Sequence, residues 1–332
     1  MTKSQKIEIS HRTIIFTVIF LLSLWFLYQV RDILLALFIS LILVGALNPS
    51  ISWLEKKHLP RWLAILLIYS FLLGLLIGGL AGIIPPLVDQ TSRLVQVIID
   101  GLDRLSFLGF SAGNLQEQIQ ELGGLPTQIL KLAVSFVSNL ISIFAILMIT
   151  FYLLLEHKNL DHYLFFLFGL EGKRRAKKII NQMEKKLGGW VRAQALLMTI
   201  VGLLSYIGFR LLGLDFALPL ALLAGVLEIV PNIGPTLAAI PAILVGLLES
   251  PLMALLVAAW AFLVQQLENN LIVPKVMEKS VGVNPLITIL SLAIGFKLAG
   301  IMGAILAIPI YLTLEVLFSE LVSSSLKKPR SE

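Results

Sequence analysis

Residues 228–241 read E-I-V-P-N-I-G-P-T-L-A-A-I-P and lie inside a longer apolar segment, residues 217–248. Proline has no backbone N–H and clashes with the preceding turn, so a helix that enters at Leu222 is predicted to break near Val230. A broken backbone is stable in hydrocarbon only where protein buries it or where it lines a watery cavity. Because interrupted helices of this kind form the binding sites of secondary transporters, the stretch predicts a membrane transporter with its site at the break.

The composition places the whole chain in a lipid bilayer. Its 332 residues are 58% hydrophobic and 14% charged, whereas about a quarter of the residues of a soluble protein are charged. The net charge of +6 comes mostly from a few basic clusters, and no nucleic-acid partner is predicted. The chain has no cysteine, which excludes disulfides and thiolate chemistry. A basic N-terminus and an apolar run without a small-residue cleavage site predict a retained first span.

Apolar runs of span length recur in the first half of the chain. A span needs about 20 apolar residues. Residues 1–86 contain three such runs, at 13–30, 33–47 and 63–84, and a fourth lies within residues 129–155. We expect Asn48-Pro49 to end the second span and Pro85-Pro86 to end the third. Residues 87–128, between the third and fourth spans, have the pattern of an amphipathic helix followed by a shorter one at 114–122.

Charge predicts the orientation of the chain. The loop at 156–193 carries nine lysines and arginines against four acidic residues, whereas 87–128 carries two against five. The positive-inside rule then places the loop, Lys56, Arg61 and both termini in the cytoplasm, with 87–128 outside. The loop also contains an apolar stripe, which consists of Ile179, Ile180, Met183, Leu187 and Trp190. A basic amphipathic helix of this kind suits an anionic lipid surface.

The C-terminal region, residues 194–320, is predicted to be the transport core. After a fifth span at 195–212, its apolar segments are interrupted, and several are too short to cross a bilayer. They lie at 217–230, 235–248, 252–267, 285–296 and 301–318. The pattern predicts an all-α polytopic membrane protein with about eight transmembrane helices, broken or re-entrant helices in the C-terminal half, and a cytoplasmic tail at 321–332. A weak internal similarity relates residues 233–241 to residues 301–309.

Several motifs of this region have a specific order and spacing. They are I-V-P-N-I-G-P-T-L-A-A-I-P-A-I-L at 229–244, Q-Q-L-E-N-N-L-I-V-P-K-V-M at 265–277, K-S-V-G-V-N-P at 279–285, and glycines at 295, 300 and 303. Together they resemble the autoinducer-2 exporter family of bacterial inner-membrane proteins. The resemblance implies an eight-span carrier that exports autoinducer-2 and forms a homo-oligomer. Some relatives in this family are linked instead to sodium–proton exchange.

Glu228 is the first candidate for the site. A charged carboxylate at mid-bilayer costs about 2.5–3.5 kcal/mol on insertion scales, so it should face a cavity or a partner. It is predicted to bind a proton or a cation; the alternatives are a position near the interface or a structural ion pair with Lys297. Helix ends at the break attract charged and polar groups, unless the break is only a structural kink. The candidates at the break are Pro231, Asn232, Gly234 and Pro235.

A polar cluster at residues 265–270 supplies the remaining candidates. Gln265, Glu268 and Asn269 share one helical face by their spacing. They are suited to hydrogen-bond a polyhydroxylated solute such as autoinducer-2; the alternative is an ordinary helix end at the lipid headgroups. Gly295, Gly300 and Gly303 are predicted to permit close helix contact rather than to bind a ligand.

The sequence thus favours an exporter of a small polar solute that gates around the break. A sodium (cation)/proton antiporter that uses Glu228 is the first alternative. A non-transporting scaffold that presents residues 87–128 and 156–193 on the two sides of the membrane is the second. The sequence contains no metal-ligand pattern, no phosphate-binding loop and no nucleophile with a matched base. No metal, no cofactor and no enzymatic activity are therefore predicted.

Overall fold

The computed structural model describes residues 11–107, 131, 140–214, 216–231, 233–277 and 284–326, and every element within these ranges is helical. The α-helices of this part of the chain are α1 (His11–Gln29), α2 (Arg31–Glu55), α3 (Arg61–Phe107), α4 (Leu140–Glu156), α5 (Leu160–Leu211), α6 (Ala217–Leu227), α7 (Ile233–Glu249), α8 (Pro251–Leu267), α9 (Val273–Met277) and α10 (Pro285–Leu326). A 3₁₀ turn, His157–Asn159, joins α4 to α5, and a π-helical turn, Glu268–Ile272, joins α8 to α9. The predicted all-α fold is confirmed.

The helices have the surface of a membrane protein. Six helical stretches in the described residues are long and apolar enough to cross a bilayer: Arg12–Gln29, Arg31–Glu55, Arg61–Pro86, Leu140–Leu211, Pro251–Met277 and Leu286–Val322. Large hydrophobic side chains are exposed along most of them, and α1 exposes such side chains on all its faces. Apolar surface of this extent is stable only in lipid or against another protein. The chain is a multi-pass membrane protein.

The prolines predicted to end the second and third spans lie inside helices, so the second boundary is wrong, whereas the apolar stretch of the third span does end at Pro86. α2 continues through Pro49 to Glu55, and α3 continues through Pro85 and Pro86 to Phe107. In hydrocarbon, only a helix satisfies its backbone hydrogen bonds within one segment, which favours continuation of the helix past a proline. The carbonyl that the proline leaves without a donor can accept a hydrogen bond from a neighbouring group instead. The extension of α3 agrees with the amphipathic helix predicted after residue 87. The shorter helix predicted at 114–122 lies outside the described residues.

Pro49 shows how such a helix is maintained. The proline leaves the carbonyl of Gly45 without its helical donor, and Arg192 Nη1 of α5 donates to that oxygen at 3.2 Å and to the Ala46 oxygen at 3.3 Å. The arginine reaches them because α2 and α5 cross in close contact. A Cβ on Gly188 would lie 2.0 Å from the Gly45 oxygen, so only glycine fits at this crossing.

The apolar stripe of the basic loop packs against protein. Leu187 and Trp190 are buried, and they share a core cluster with Ile308 and Leu312 of α10. Met183 lies against the same cluster. The stripe was predicted to face a lipid surface; instead it attaches the basic part of α5 to α10, because a neighbouring apolar helix competes with lipid for the same surface.

α6 and α7 form an antiparallel hairpin, which we call hairpin A (residues 217–249). Ala217 at the start of α6 shares a buried cluster with Val245 near the end of α7, and Ala224 shares another with Ala238. The 11 residues of α6 extend roughly 16 Å, about half of a 30 Å hydrocarbon core. α6 is therefore too short to cross a bilayer alone, and the chain reverses direction between Leu227 and Ile233. We call this part of hairpin A its tip.

α10 contains a second hairpin, hairpin B (residues 285–326). Its helix is interrupted at Ala299 and at Gly300, whose φ of 59° is a left-handed conformation that favours glycine. The two arms then run side by side: a Cβ on Gly295 would lie 2.3 Å from the oxygen of Gly303. The prediction of close helix contact is confirmed for Gly295 and Gly303, whereas Gly300 forms the turn and has no close neighbour.

The two hairpins enter the bundle from opposite ends. Hairpin A begins beside Leu214, just after α5 ends. The second arm of hairpin B runs toward the other end, where Lys186 pairs with Glu315 at 2.6 Å. We call this second end, formed by residues 55–61, 156–186 and 315–326, the basic end. The weakly similar stretches 233–241 and 301–309 each begin the second arm of a hairpin, as expected of related units in a transporter.

Candidate functional site

The tip of hairpin A forms where α6 loses its backbone partners. α6 ends at Leu227, and the next turn tightens, with the Val230 N–H donating to the Leu227 oxygen at 3.1 Å, three residues back. Pro231 has no N–H with which to continue the helix. The chain becomes helical again at Ile233, where α7 begins. The predicted break near Val230 is confirmed.

Two glycines hold this tip against its neighbours. A Cβ on Gly234 would lie 1.8 Å from the Leu227 oxygen, so α7 can begin this close to α6 only with glycine at this position. A Cβ on Gly225 would lie 2.7 Å from the Met198 oxygen, so α6 packs equally closely on α5. The backbone on either side of Glu228 is thereby fixed in place.

Two carboxyl groups meet at the tip. Glu228 directly follows α6, and Glu268 is the first residue of the π-helical turn after α8. Their exposed fractions are 0% and 1%, and the two carboxyl groups are near enough to interact directly. Single π-helical turns inside helices are found frequently at functional sites. Two candidates that are 40 residues apart in the sequence thus form one buried pair.

No basic side chain in the described residues forms an ion pair with either carboxyl group. Both oxygens of Glu228 also lack a hydrogen-bond donor from the described protein groups. Two unit charges 4 Å apart repel by about 4 kcal/mol at an effective dielectric constant of 20, and burial adds a desolvation cost. A buried carboxyl pair of this kind is suited to share a proton between its oxygens or to bind a cation.

Two amide side chains complete the site. Gln194 of α5 is 3% exposed; its Nε2 donates to the backbone oxygen of Glu228 at 2.5 Å, and its Oε1 has no donor. Gln265 donates through Nε2 to Glu268 Oε2 at 3.3 Å. Buried acceptors without donors are rare in proteins, so these oxygens mark the tip as a candidate site for a proton donor or a cation.

Gln194 was not among the residues predicted for the site. The signal that indicates it is an amide in the buried helical face that also contains Trp190, four residues earlier. Trp190 Nε1 is likewise buried without a hydrogen-bond partner in the described residues. Both residues lie where the basic part of α5 enters the apolar bundle.

The other predicted residues lie at varied distances from the pair. Pro235 is half-buried in the first turn of α7, and Asn232 lies outside the described residues. Asn269 is exposed although its four-residue spacing from Gln265 predicts a shared face, because consecutive helical residues point about 100° apart and Glu268 is the one that faces the interior. Lys297 is exposed next to the tip of hairpin B and forms no ion pair with Glu228.

Comparison with known proteins identifies the family. Residues 14–323 match the model of the AI-2E family transporters. The chain belongs to this family. It is 30% identical over 312 residues to YueF of Bacillus subtilis, covering 86% of this chain and 84% of YueF. It is 28% identical over 304 residues to YrrI of the same organism, covering 87% and 86% of the two chains, and 28% identical over 295 residues to sll0063 of Synechocystis, covering 82% and 73%.

All three relatives bear the provisional name of transport proteins. The resemblance seen in the C-terminal motifs is confirmed, and the chain is a membrane transporter of the AI-2E family. In this transporter, the tip residue Val230 packs against the cluster of Leu292, Ala304 and Ala307 in hairpin B. The carboxyl pair therefore lies close to the place where the two hairpins meet.

Proposed function

We propose that this AI-2E transporter is a secondary carrier that exports a small polar solute such as autoinducer-2, and that the pair of Glu228 and Glu268 binds the proton or cation that couples to transport. The single observation that carries the proposal is the pair itself. Its two carboxyl groups are buried in contact, without a basic partner in the described residues. Ionisable residues inside membranes are costly, and they typically belong to ion pathways or proton relays.

The hairpins supply a means of coupling. A pair that holds a proton or a cation is compatible with the packed arrangement of α5, α6 and α8, whereas a doubly charged pair needs water or a counter-ion. Loss of the bound ion then favours a state in which a hairpin tip moves and water reaches the carboxylates. Because the hairpins enter from opposite ends, movement of one or the other opens the site to opposite sides of the membrane.

The orientation follows from the basic end. This end carries most of the lysines and arginines of residues 156–193, and the positive-inside rule puts such a surface in the cytoplasm. Both termini then lie in the cytoplasm, and the bacterial inner membrane is the proposed location. Hairpin A enters from the outside and hairpin B from the cytoplasm.

A second candidate function is cation–proton antiport, the alternative that the sequence also suggests. The pair favours it, because two carboxylates with an adjacent amide oxygen are suitable ligands for a hard monovalent cation or a proton. In this case the pair is the whole transport site, and cation and proton compete for it. No organic solute is then required.

Transport in liposomes tests both functions. Purified protein is reconstituted, and fluxes of autoinducer-2, sodium and protons are measured in parallel across imposed pH gradients. We expect autoinducer-2 flux that depends on the proton or sodium gradient, and loss of that dependence in Glu228→Gln and Glu268→Gln. The matched control is Glu249→Gln, since Glu249 is exposed at the end of α7. Sodium–proton exchange without autoinducer-2 flux would instead establish antiport.

Two results would contradict the role of the pair. One is an unchanged ion dependence in both glutamine variants. The other is flux by a variant in which residues 228–235 are replaced by a continuous leucine–alanine helix, because that protein has neither the break nor Glu228. The scaffold alternative predicts that the wild type transports none of the three solutes. It also predicts that the variant with a continuous helix at residues 228–235 still replaces the wild type in cells.

A further inference from the structure

A second feature lies at the basic end, away from the carboxyl pair. α5 bends at Gly169, whose φ of 66° and ψ of −170° divide it into residues 160–168 and 170–211. Lys177 pairs with Asp161 at 2.6 Å across the bend, and His157 Nε2 lies 2.8 Å from Glu184 Oε1. The two helices therefore run side by side in opposite directions. We call residues 160–177 the elbow.

The apex of the elbow exposes a continuous run of large apolar side chains. They are Phe165, Phe166, Leu167, Phe168 and Leu170, and each is about half exposed or more. Phe166 has an exposed fraction of 83%, whereas Leu164 just before the run is buried at 6%. Exposed apolar patches of this kind mark surfaces that contact a membrane or another protein.

Charge distinguishes the two kinds of partner. Residues 160–186 contain seven lysines and arginines and three acidic residues. Lys173 and Arg174 lie three and four residues after the end of the apolar run, and neither belongs to an ion pair in the described residues. A combination of exposed phenylalanines and adjacent basic residues is typical of segments that lie in the headgroup layer of an anionic membrane. A second copy of the same basic surface would instead be repelled.

The elbow is also within reach of the membrane. The span of α4 ends at Glu156, and only the turn His157–Asn159 separates it from the elbow. Residues 160–168 extend roughly 14 Å as a helix. Each headgroup layer is about 5–8 Å thick. The apex is therefore joined to the end of a membrane span by only a three-residue turn and about 14 Å of helix.

We propose that the elbow docks on the anionic leaflet at the basic end: the apolar run at residues 165–170 inserts among the lipid headgroups, and Lys173 and Arg174 contact the lipid phosphates. The proposal uses the multi-pass fold and does not depend on the transported solute. The sequence predicted that the apolar stripe of α5 binds lipid, but that stripe packs on α10. The proposal assigns lipid binding to the apex of the elbow, which precedes the stripe in the chain.

The absence of cysteine in this chain permits a direct test. A nitroxide spin label is attached to Phe166→Cys in proteoliposomes of phosphatidylcholine alone or with phosphatidylglycerol. Collisions of the label with oxygen, which concentrates in lipid, and with a water-soluble nickel chelate report its depth. Lys185→Cys, exposed in the same helix, is the aqueous control, and Phe262→Cys, exposed on α8, is the lipid control. Vesicle leaflets of equal composition make the result independent of protein orientation.

We expect oxygen to dominate over nickel at residue 166 in phosphatidylglycerol vesicles, with a shift toward nickel in phosphatidylcholine alone. Removal of both charges, with Lys173→Gln and Arg174→Gln in the same chain, should abolish the difference between the two lipids. Nickel-dominated relaxation equal to that of residue 185 in both lipids would overturn the proposal. Protection from both reagents would also overturn it and would show that protein, such as a second copy, covers the apex.

These outcomes are separable from failure of the proposed transport function. The depth measurement needs only a folded, reconstituted protein, which is verified by a single symmetric peak in size-exclusion chromatography before reconstitution. Fluxes measured on the same vesicles are expected to persist in Phe166→Cys, since the elbow lies outside the carboxyl pair. A correct depth profile without flux would leave the elbow proposal standing and count against the transport proposal alone.

Discussion

The basic end and the tip of hairpin A differ in whether their charged side chains have oppositely charged partners. At the basic end, Arg61 Nη1 pairs with Glu55 Oε2 at 3.1 Å, its Nε donates to the Leu154 oxygen at 2.7 Å, and its Nη2 donates to Asn48 Oδ1 at 2.8 Å. Lys158 pairs with the other oxygen of Glu55. At the tip, Glu228 and Glu268 have only each other and two amides. We call the group around Arg61 the clasp.

The clasp gives each of the three guanidinium nitrogens of Arg61 a hydrogen-bond acceptor, and it joins the ends of α2, α3 and α4. A network of this kind contributes to the stability of one arrangement. The carboxyl pair has no such network, and under the proposed function a doubly charged pair is compatible with burial only when a proton or a cation is bound. The comparison indicates that burial alone does not decide the role of a charged side chain. A buried charge with oppositely charged partners is structural, whereas a buried carboxyl pair without such partners is suited to change its protonation or to bind an ion.

The largest expected effect comes from making the pair resemble the clasp. Glu268→Lys places an ammonium beside Glu228, so that the two can form an ion pair without any bound proton or cation. We expect coupled flux to fall to the background of empty liposomes, because the site no longer exchanges an ion. Thermal unfolding in detergent is measured on the same preparation. A variant that unfolds at the wild-type temperature and still transports would contradict the role of the pair.

Breaking the clasp should affect stability and leave the transport chemistry intact. The Arg61 side chain is 10% exposed. Arg61→Met removes the donor from Glu55 Oε2, Asn48 Oδ1 and the Leu154 oxygen. We expect a loss of about 3 kcal/mol, near the low end for breaking a buried charge pair. Denaturant unfolding measures it, and flux is normalised to folded protein.

The matched control is Arg210→Met, because Arg210 is exposed at the end of α5 and surface substitutions usually change stability by less than about 0.5 kcal/mol. Equal losses in the two variants would show that the clasp is not a stabilising network. A loss of ion-coupled flux per folded molecule in Arg61→Met would erase the proposed distinction between the clasp and the pair.

A smaller loss of stability is expected when the arginine that donates to a backbone carbonyl is removed. Arg192→Met removes the donor from the Gly45 oxygen that Pro49 leaves free. An unpaired buried carbonyl costs about 1–3 kcal/mol. In a Pro49→Ala background, the alanine N–H can restore the helical bond, so the cost of Arg192→Met should shrink by about 1 kcal/mol. Unfolding of the four proteins in this cycle gives the coupling; additive losses would show that the arginine does not replace the missing donor.

Much of the site could be predicted from local sequence, because local chemistry decides it. Pro231 removes a donor wherever the chain goes, so the break is visible in the sequence. The close glycine contacts of hairpin B follow similarly from Gly295 and Gly303, which present almost no side chain to a neighbouring helix. The exposed Asn269 shows the limit of such reasoning, since helical spacing does not indicate which member of a polar cluster faces the interior.

The remaining features depend on groups that are distant in the sequence. The pairing of Glu228 with Glu268 arises only because hairpin A turns back and α8 returns beside it. Likewise, Pro49 ends a helix unless a donor is supplied, and the donor, Arg192, lies 143 residues away. The local sequence shows that each of these groups is unfavourable when it is buried without a partner. It does not show which distant residue supplies that partner.

The smallest effect tests whether exposure separates two ion pairs of one carboxylate. Glu55 binds Arg61 on one oxygen and Lys158 on the other, but the Lys158 side chain is 61% exposed whereas that of Arg61 is 10% exposed. An exposed pair is typically worth less than about 1 kcal/mol, because water screens it and a long side chain must be held in place. We therefore expect Lys158→Gln to change the free energy of unfolding by less than about 0.5 kcal/mol. We also expect 0.5 M salt to remove even this change, since screening lengths at such ionic strength fall to a few ångström. Should Lys158→Gln cost as much as Arg61→Met, the stability of the clasp would come from its net charge rather than from the buried guanidinium.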